Sequence, residues 1–470
     1  MTLIETDYLV VGAGAAGMAF VDALIAESDA DVVIVDRRHG PGGHWNDAYP
    51  FVRLHQPSAT YGVNSRVLGN NSIDTAGPNA GFYERATGVE ICGYFQKALE
   101  EHLLPSGQVR FFGMCDYLGN WSNEHALTSR LTGQTEEVRV RRKIVDTTYL
   151  QVSVPATHTP AFGVDPDVQF IPVGDLVARA ENPAGYTILG AGKTAMDACN
   201  WLLDNGVDPD KIRWVKPRDA WVLDRASVQP LDLIVPAIEE LSLAIEALAQ
   251  AESIEDLFRR LEVCGALFRI DTKIEPTMFR GAILSEAERE GLEQIETVVR
   301  LGRVIHLAAD RITLEEGAIP TSRGEVHVDC TASGFRTAPA RPIFESGRIT
   351  LQSLMGGFTT YNAALVAFIE AARDNDEEKN RLSPPTPQPS EPIDWIRSYN
   401  SALRNFASHA AEPDLMAWIQ RSRLNITRGM NEHMGDPRMQ SAMTRWAVNI
   451  EPALRQADEF LAPVRRRASL

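Results

Sequence analysis

Two glycine-rich turns carry the clearest chemistry in this chain. The first, Gly12-Ala13-Gly14-Ala15-Ala16-Gly17, follows the apolar run Asp7-Tyr8-Leu9-Val10-Val11 and opens a second apolar stretch. Glycine at its first position permits a tight turn, at its second lets the backbone approach a pyrophosphate, and at its third lets helix and strand pack closely. Phosphates would rest on the helix N-terminus, at Ala15 and Ala16, where free N–H groups and the helix dipole favour anions. Asp36 ends the next apolar run, Asp31-Val32-Val33-Ile34-Val35, where a carboxylate can accept hydrogen bonds from ribose hydroxyls, and Arg37 stands beside it. A glycine turn alone is a weak signal. The strand before it, the helix after it and the acidic residue beyond it make this one strong, against the plainer alternative of a strand–helix turn with no ligand.

The second turn is Gly190-Ala191-Gly192-Lys193-Thr194-Ala195, after Tyr186-Thr187-Ile188-Leu189. Alanine stands in for the last glycine, a change frequent where the nucleotide is NADP. The following strand, Ile212-Arg213-Trp214-Val215, runs into Lys216-Pro217-Arg218 rather than into a carboxylate. Two cations there would attract a 2′-phosphate, so NADPH is expected on Gly190, Gly192, Lys193, Thr194, Lys216 and Arg218. The alternative is that Lys216 and Arg218 are merely solvated. Gly192-Lys193-Thr194 imitates the end of a P-loop, but the preceding spacing is wrong for ATP.

Two dinucleotides on one chain imply hydride transfer between them. The five cysteines, Cys92, Cys115, Cys199, Cys264 and Cys330, contain no Cys-x-x-Cys pair, which argues against a disulfide reductase and against structural zinc. The ten histidines do not cluster at ligand spacing, so no metal is expected.

The elements that must position these residues repeat. Each turn sits in a strand, turn, helix, strand unit, the pattern of a parallel βαβ crossover. The expected fold class is α/β with two Rossmann-like dinucleotide-binding domains, the second inserted in the first, plus a C-terminal helical section. The boundaries read as 1–151 for the first part of the first dinucleotide domain and 152–320 for the NADPH domain, with a helical insertion at about 236–300. Residues 321–373 are read as the return to the first domain, 374–392 as a Pro-rich linker and 393–470 as the C-terminal helical section. In the return, Glu325-Val326-His327-Val328-Asp329-Cys330 is read as a strand of the first domain. The proline density of Ser383-Pro384-Pro385-Thr386-Pro387-Gln388-Pro389 favours an extended chain. The C-terminal section is expected to cap the substrate side, with Arg421, Arg423 and Arg428 able to hold an anion, or else to pack simply onto the first domain; residues 465–470 are expected to be a solvated tail.

The chain has 470 residues, is 44% hydrophobic and carries a net charge of −17. An acidic surface repels phosphate backbones and anionic lipid, so nucleic acid and membrane are poor partners. The first 36 residues contain no Lys or Arg, unlike a secretory signal, and no stretch is long and apolar enough for a membrane span. A cytoplasmic location is therefore expected by default, with a homo-oligomer left open.

Past Asp36 comes Gly42-Gly43-His44-Trp45-Asn46-Asp47-Ala48-Tyr49-Pro50. Here the sequence resembles the flavin-dependent monooxygenases with two dinucleotide domains, which include the flavin-containing monooxygenases, the Baeyer–Villiger enzymes and the N-hydroxylases. The resemblance covers about 5–60, 140–220 and 320–372. It implies FAD at the first site and NADPH at the second, with Gly43, His44 and Trp45 along the flavin. It makes Arg53, His55 and Gln56 the catalytic candidates, because Arg53-Leu54-His55-Gln56 follows on a segment that passes near the isoalloxazine in such folds. It implies a monooxygenase acting through a C4a-(hydro)peroxyflavin on a small organic substrate with O2. The alternatives are an NADPH-dependent flavin reductase or oxidase without oxygen transfer, and a flavin-binding protein without turnover. Asp329-Cys330-Thr331-Ala332-Ser333-Gly334-Phe335 resembles the Ala-Thr-Gly turn of these flavoproteins, which implies that Ser333 and Gly334 pass close to FAD and that a side chain at Gly334 would clash. Val145-Asp146-Thr147-Thr148-Tyr149 resembles the matching outward crossover, and without a glycine it is expected to pass more loosely. The chain departs from the group in having Val152-Ser153-Val154-Pro155-Ala156-Thr157-His158 where many members carry Phe-x-Gly-x-x-x-His, which ties it to no one subfamily.

Overall fold

The computed structural model describes residues 3–179 and 182–468. Nine residues, Leu3–Val11, form the central strand of the first sheet, and their inner positions are buried because the sheet is covered on both faces. Val32–Val35 pairs parallel to it, Val11 opposite Val35, and Val109–Phe112 pairs parallel beyond that. On the other side Thr135–Asp146 lies parallel, Val11 opposite Asp146, followed by Arg348–Thr350. Numbered in chain order, these five strands stand 3-2-1-4-5, the doubly wound order whose switch point opens a crevice at the C-terminal strand ends. Helices Ala15–Glu27 and Thr359–Ala372 pack together on one face, and both are apolar nearly all round because they are enclosed by the sheet and the C-terminal section.

The second sheet is built on the same plan around Gly185–Leu189. Ile212–Val215 and then Val298–Val299 pair parallel on one side, Glu325–Asp329 and then Phe170–Pro172 on the other. This corrects the expected return to the first domain at 321. The strand Glu325–Asp329 belongs to the second sheet, with Leu189 opposite Asp329. The misreading has a physical source, since the two modules end the strand beside their central strand in the same way. Asp146 Oδ1 accepts from the N–H and hydroxyl of Thr148 at 2.9 and 2.8 Å, and Asp329 Oδ1 from those of Thr331 at 2.9 and 2.6 Å. The chain leaves the second module through Gly334–Phe335, which pairs antiparallel with the outgoing Val152–Ser153, and rejoins the first sheet at Phe344–Glu345 and Arg348–Thr350.

Three further expectations change. The 236–300 region is not wholly helical: between the helices Ile254–Val263 and Glu286–Glu293, the apolar run Met278–Leu284 joins Ala220–Asp224 and Leu267–Phe268 in a three-stranded sheet. The 374–392 linker begins with a helix, Asp376–Leu382, capped by Asn375, and its proline-rich part is packed, with Ser383 and Thr386 buried. The C-terminal section packs on both modules. Trp395, Ile396, Leu403, Ala453 and Ala457 share a core with Trp221 and the helices Ile234–Gln250 and Ile254–Val263, while Leu415 and Trp418 enter the core of the first module, Trp418 stacked on Phe368 at 5.2 Å. Helix Pro437–Ala468 continues into the expected tail, of which residues 469 and 470 lie outside the described residues.

Trp395 anchors this arrangement, stacked on Tyr399 at 4.4 Å and edge-on to Phe258 at 6.2 Å. Truncating it removes a large buried ring and leaves a cavity. We expect Trp395→Ala to cost about 3–5 kcal/mol, read as a lower midpoint in denaturant titration; a loss under about 1 kcal/mol would show that the C-terminal helices do not share the core of the second module.

Candidate functional site

The crevice of the first module is a cavity of about 540 Å³ running along the strand ends from Asp36 to Tyr61. Its floor is the first glycine turn. Gly12 has φ +106°, and a Cβ there would lie 2.4 Å from the Thr147 hydroxyl oxygen, while a Cβ on Gly17 would lie 2.1 Å from the Gly12 carbonyl oxygen. The outgoing crossover packs closely on this turn: Thr147 donates to the Val11 carbonyl at 2.8 Å and presses against Gly12. No side chain caps helix Ala15–Glu27, so its first N–H groups are left to the cavity, which Gly14, Ala15 and Ala16 line. Asp36 is buried, with one oxygen accepting from Ala13 N–H at 2.7 Å and the other from Arg38 N–H at 2.8 Å, so both are aimed while each keeps a further lone pair. Gly43 leans over the turn, and a Cβ on it would lie 2.9 Å from Gly14 Cα.

At the other end Trp45 donates its indole N–H to the Tyr61 hydroxyl at 2.8 Å and stacks on His44 at 5.1 Å. Burial, reinforced by the Arg38 charge, pushes the His44 imidazole down to about 4. His55 lines the cavity, and burial followed by the charge of Lys193 pushes it down to about 4 as well, so both rings are neutral at physiological pH.

The other catalytic candidates fare differently. Arg53 is exposed, gives its guanidinium to the Arg85 carbonyl at 3.0 Å and does not line the cavity. Gln56 does line it, but its amide donates to the Thr60 carbonyl at 3.1 Å. Arg37 stands exposed at the mouth. Ser333 and Gly334 lie outside the cavity, in an adjoining basin of about 680 Å³ that also holds Arg37, Arg38, Arg130 and Arg336. A Cβ on Gly334 would meet no protein atom within 4 Å, and its φ of +70° is a backbone conformation that favours glycine.

Several cavity residues lie outside the sequence expectations: Thr148, Gln352, Ser353, Gly356, Gly357 and Gln388. Gly356-Gly357 immediately before the apolar helix Thr359–Ala372 was the available signal, a glycine pair opening a buried helix.

The second turn repeats the first in its geometry. Gly190 has φ +131°, and a Cβ there would lie 2.4 Å from the Cys330 carbonyl oxygen; Gly192 faces open space before an uncapped helix, Lys193–Asp204. Thr194 is half-buried at its start. Lys193 instead turns inward, buried, into an ion pair with Asp197, whose other oxygen accepts from the Tyr49 hydroxyl of the first module at 2.6 Å. Lys216 is only 3% exposed, ion-paired to Asp219 at 2.5 Å and seated over the Trp214 ring at 4.4 Å. Asp219 also holds Arg300 at 2.7 Å. The expected 2′-phosphate role of Lys216 therefore gives way to that of a buried strut, because a carboxylate three residues on draws the ammonium inward. Arg218 is half-buried and has no carboxylate partner among the described residues. Neither has Arg280, from the strand Met278–Leu284, whose guanidinium is held below its ordinary value by burial and then by the Arg218 charge.

Between the two turns lies a buried charge cluster. Glu288 accepts from Arg225 at 2.5 Å and from Arg85 at 3.2 Å, and its own helix start is capped by Ser285. Burial would raise the Glu288 carboxyl, but Lys193, Arg225 and Arg85 outweigh it and bring it down to about 2. Arg225 is wholly buried. Among the described residues no group of three or more His, Cys, Asp and Glu side chains is placed to hold a metal ion, and no helix is long and apolar enough to cross a membrane.

Residues 10–65 match the family model for an NAD(P)-binding Rossmann-like domain. Among solved structures, the chain is similar to open cyclohexanone monooxygenase at 12% identity and TM-score 0.49, covering 78% of this chain and 87% of that one. It is similar to steroid monooxygenase bound to NADP at 14% identity and TM-score 0.48, covering 78% and 85%. It is also similar to a flavin-containing monooxygenase from Stenotrophomonas maltophilia at 13% identity and TM-score 0.42, covering 78% and 98%. At these values the fold assignment rests on the strand order and the two turns, not on the likeness. Two relatives are far nearer in sequence, Uncharacterized protein Rv2000 of Mycobacterium tuberculosis and Uncharacterized protein Mb2023 of Mycobacterium bovis, each 45% identical over 424 residues that make up 90% of this chain and 78% of the relative. The chain belongs to the family of these mycobacterial proteins.

Proposed function

We propose that the chain is an FAD-dependent, NADPH-using monooxygenase of small organic molecules. The observation that carries the reading is the pair of glycine turns, each opening an uncapped helix, the first on the floor of the cavity and the second on the helix whose Asp197 accepts from Tyr49 of the first module. One turn would hold a hydride donor and the other its acceptor.

The first site suits FAD in chemistry and shape. It offers a turn whose close packing at Gly12 and Gly17 leaves bare backbone at the cavity floor, uncapped helix N–H groups for a pyrophosphate and an aimed carboxylate for a ribose. Gly14 and Gly43, packed against each other, would present bare backbone to the cofactor, with His44 and Trp45 forming the wall beside it. When bound, the flavin supplies hydride acceptance from NADPH and activation of O2. The residues' own part is narrower. The neutral His55 ring can donate or accept one hydrogen bond at the inner wall without adding charge. Trp45, Tyr61 and Leu54 exclude water there. At the second site Gly190, Gly192 and Thr194 would face the pyrophosphate, and Arg218 with Arg280 would form the 2′-phosphate clamp, two neighbouring like charges with no carboxylate partner among the described residues.

Mass spectrometry of the heat-released ligand and incorporation of oxygen from labelled O2 into product test the assignment. A colourless protein that cannot be reconstituted removes it, and NADPH consumption yielding only hydrogen peroxide makes the chain an oxidase.

The clamp makes a sharper prediction. Arg218→Ala and Arg280→Ala should each weaken NADPH use by roughly ten- to a hundredfold, from a charge-assisted contact of about 1.5–3 kcal/mol, and leave NADH unchanged. Lys216→Met should lower stability and leave the preference intact. Steady-state kinetics with both nucleotides decide; equal losses for NADPH and NADH would remove the clamp.

The two depressed histidines predict a pH dependence of stability. The unfolded chain takes up these protons near pH 6.5, the folded chain only near 4. Between those values the unfolded state binds more protons, so stability is full above about pH 6.5 and declines as pH falls toward 4. His55→Gln should flatten part of that decline in denaturant titrations across this range. An unchanged slope would mean that His55 titrates freely and is open to solvent.

A further inference from the structure

The proline-rich segment is a strap rather than a linker. Thr386 donates its N–H to the Ser353 carbonyl at 2.7 Å and its hydroxyl to the Leu354 carbonyl at 2.9 Å, both in the first module. Ser390 accepts from Phe279 N–H at 3.2 Å, in the second module's three-stranded sheet. Gln388 lies between these anchors, half-buried, and lines the cavity. Pro387 and Pro389 flank it and hold the backbone extended, so the side chain is presented from a stiff support.

Most polar side chains nearby are already engaged. Gln56 donates to Thr60, Gln352 to Arg341, Ser353 to Gly356, and Asn362 accepts from Met355 N–H. Gln388 and His55 have no side-chain hydrogen bond with any described residue, and an amide left unmade in a half-buried wall favours a ligand that completes it. Behind His55, Lys193, Arg85 and Arg225 outnumber Asp197 and Glu288 by three to two, while the charged residues that line the cavity itself, Asp36, Arg37, Arg38, Asp47 and Asp116, lie on other parts of the chain.

We propose that Gln388 is the specificity-determining residue of this cavity: its amide receives the polar group of an uncharged substrate, while the cations behind His55 turn away molecules that carry an ammonium group. The proposal rests on the reading of this cavity as the flavin and substrate site.

Three probes of one shape test it: benzyl alcohol, benzylamine, which is an ammonium at pH 7, and toluene. Their affinities for the protein as purified are read by saturation-transfer NMR titration, which requires neither turnover nor flavin colour. Benzyl alcohol should bind, about tenfold more weakly to Gln388→Met than to the wild-type chain, with partial recovery in Gln388→Asn. Toluene should be indifferent to the change, and benzylamine should bind at least tenfold more weakly than benzyl alcohol. Thermal melts of both variants should match the wild type, since Gln388 gives up no internal bond. Benzyl alcohol failing to bind, binding Gln388→Met as tightly, or being matched by benzylamine would each overturn the proposal. A protein that shows the expected binding pattern but never oxygenates a product would overturn the monooxygenase reading alone.

Discussion

The architecture depends on a contact that leaves no room for a methyl group. In each module the crossover leaving the strand next to the central one passes directly over the glycine turn, the Thr147 hydroxyl over Gly12 and the Cys330 carbonyl over Gly190, each 2.4 Å from where a Cβ would stand. With glycine there, the two strand ends close to a narrow notch and the following helix starts with its N–H groups exposed to that notch. The Asp-x-Thr turn at Asp146 and its copy at Asp329 hold each crossover in place by fastening the threonine to the strand end. Anion-binding capacity at both sites is thus a consequence of backbone packing, with no cationic side chain required at either turn.

Charge is reserved for the boundary between the modules. Burying Arg225 completely is tolerable only because Glu288 stands 2.5 Å away, and Glu288 stays ionised only because Arg85, Arg225 and Lys193 surround it. Such a cluster contributes little net stability relative to an apolar seam, but it admits only one alignment of the partners, and removing any member leaves an uncompensated charge. Lys193 sits at the start of the second turn and is drawn into this boundary by Asp197 rather than toward a nucleotide. The residue that looked most like a phosphate ligand by its place in the sequence works as a tie between modules.

What the sequence made legible was local. The glycine turns, Asp36, the βαβ units and the helices of the C-terminal section are each written within about thirty consecutive residues, a span over which strand and helix periodicity and turn chemistry suffice. What it hid was long-range pairing. Glu325–Asp329 has the composition of any buried parallel strand, and only the register against Gly185–Leu189 says which sheet it joins. Lys216 and Arg218 look equivalent two residues apart, and the difference lies in Asp219 and Arg300, the latter more than eighty residues on. Gln388 was unreadable for the same reason: a proline-rich stretch reads as a spacer until Thr386 is seen docked on Ser353.

The two modules are linked covalently by the pair of strands Val152–Ser153 and Gly334–Phe335, two residues each. A ribbon that short permits a wide range of mutual orientations, so the orientation must come from elsewhere. The charge cluster at Glu288 contributes, and the C-terminal helices add to it by entering both cores, Trp418 in the first and Trp395 in the second, while the strap lines the cavity at Gln388. Any rotation of one module against the other therefore shears a helix pair and moves the strap at the same time. Since the strap is anchored at Ser353 on one side and at Phe279 on the other, the width of the cavity and the separation of the two dinucleotide turns are coupled by the same few residues. The cavity and the spacing of the two modules are then not independent in this chain, and residues outside both sheets tie them together.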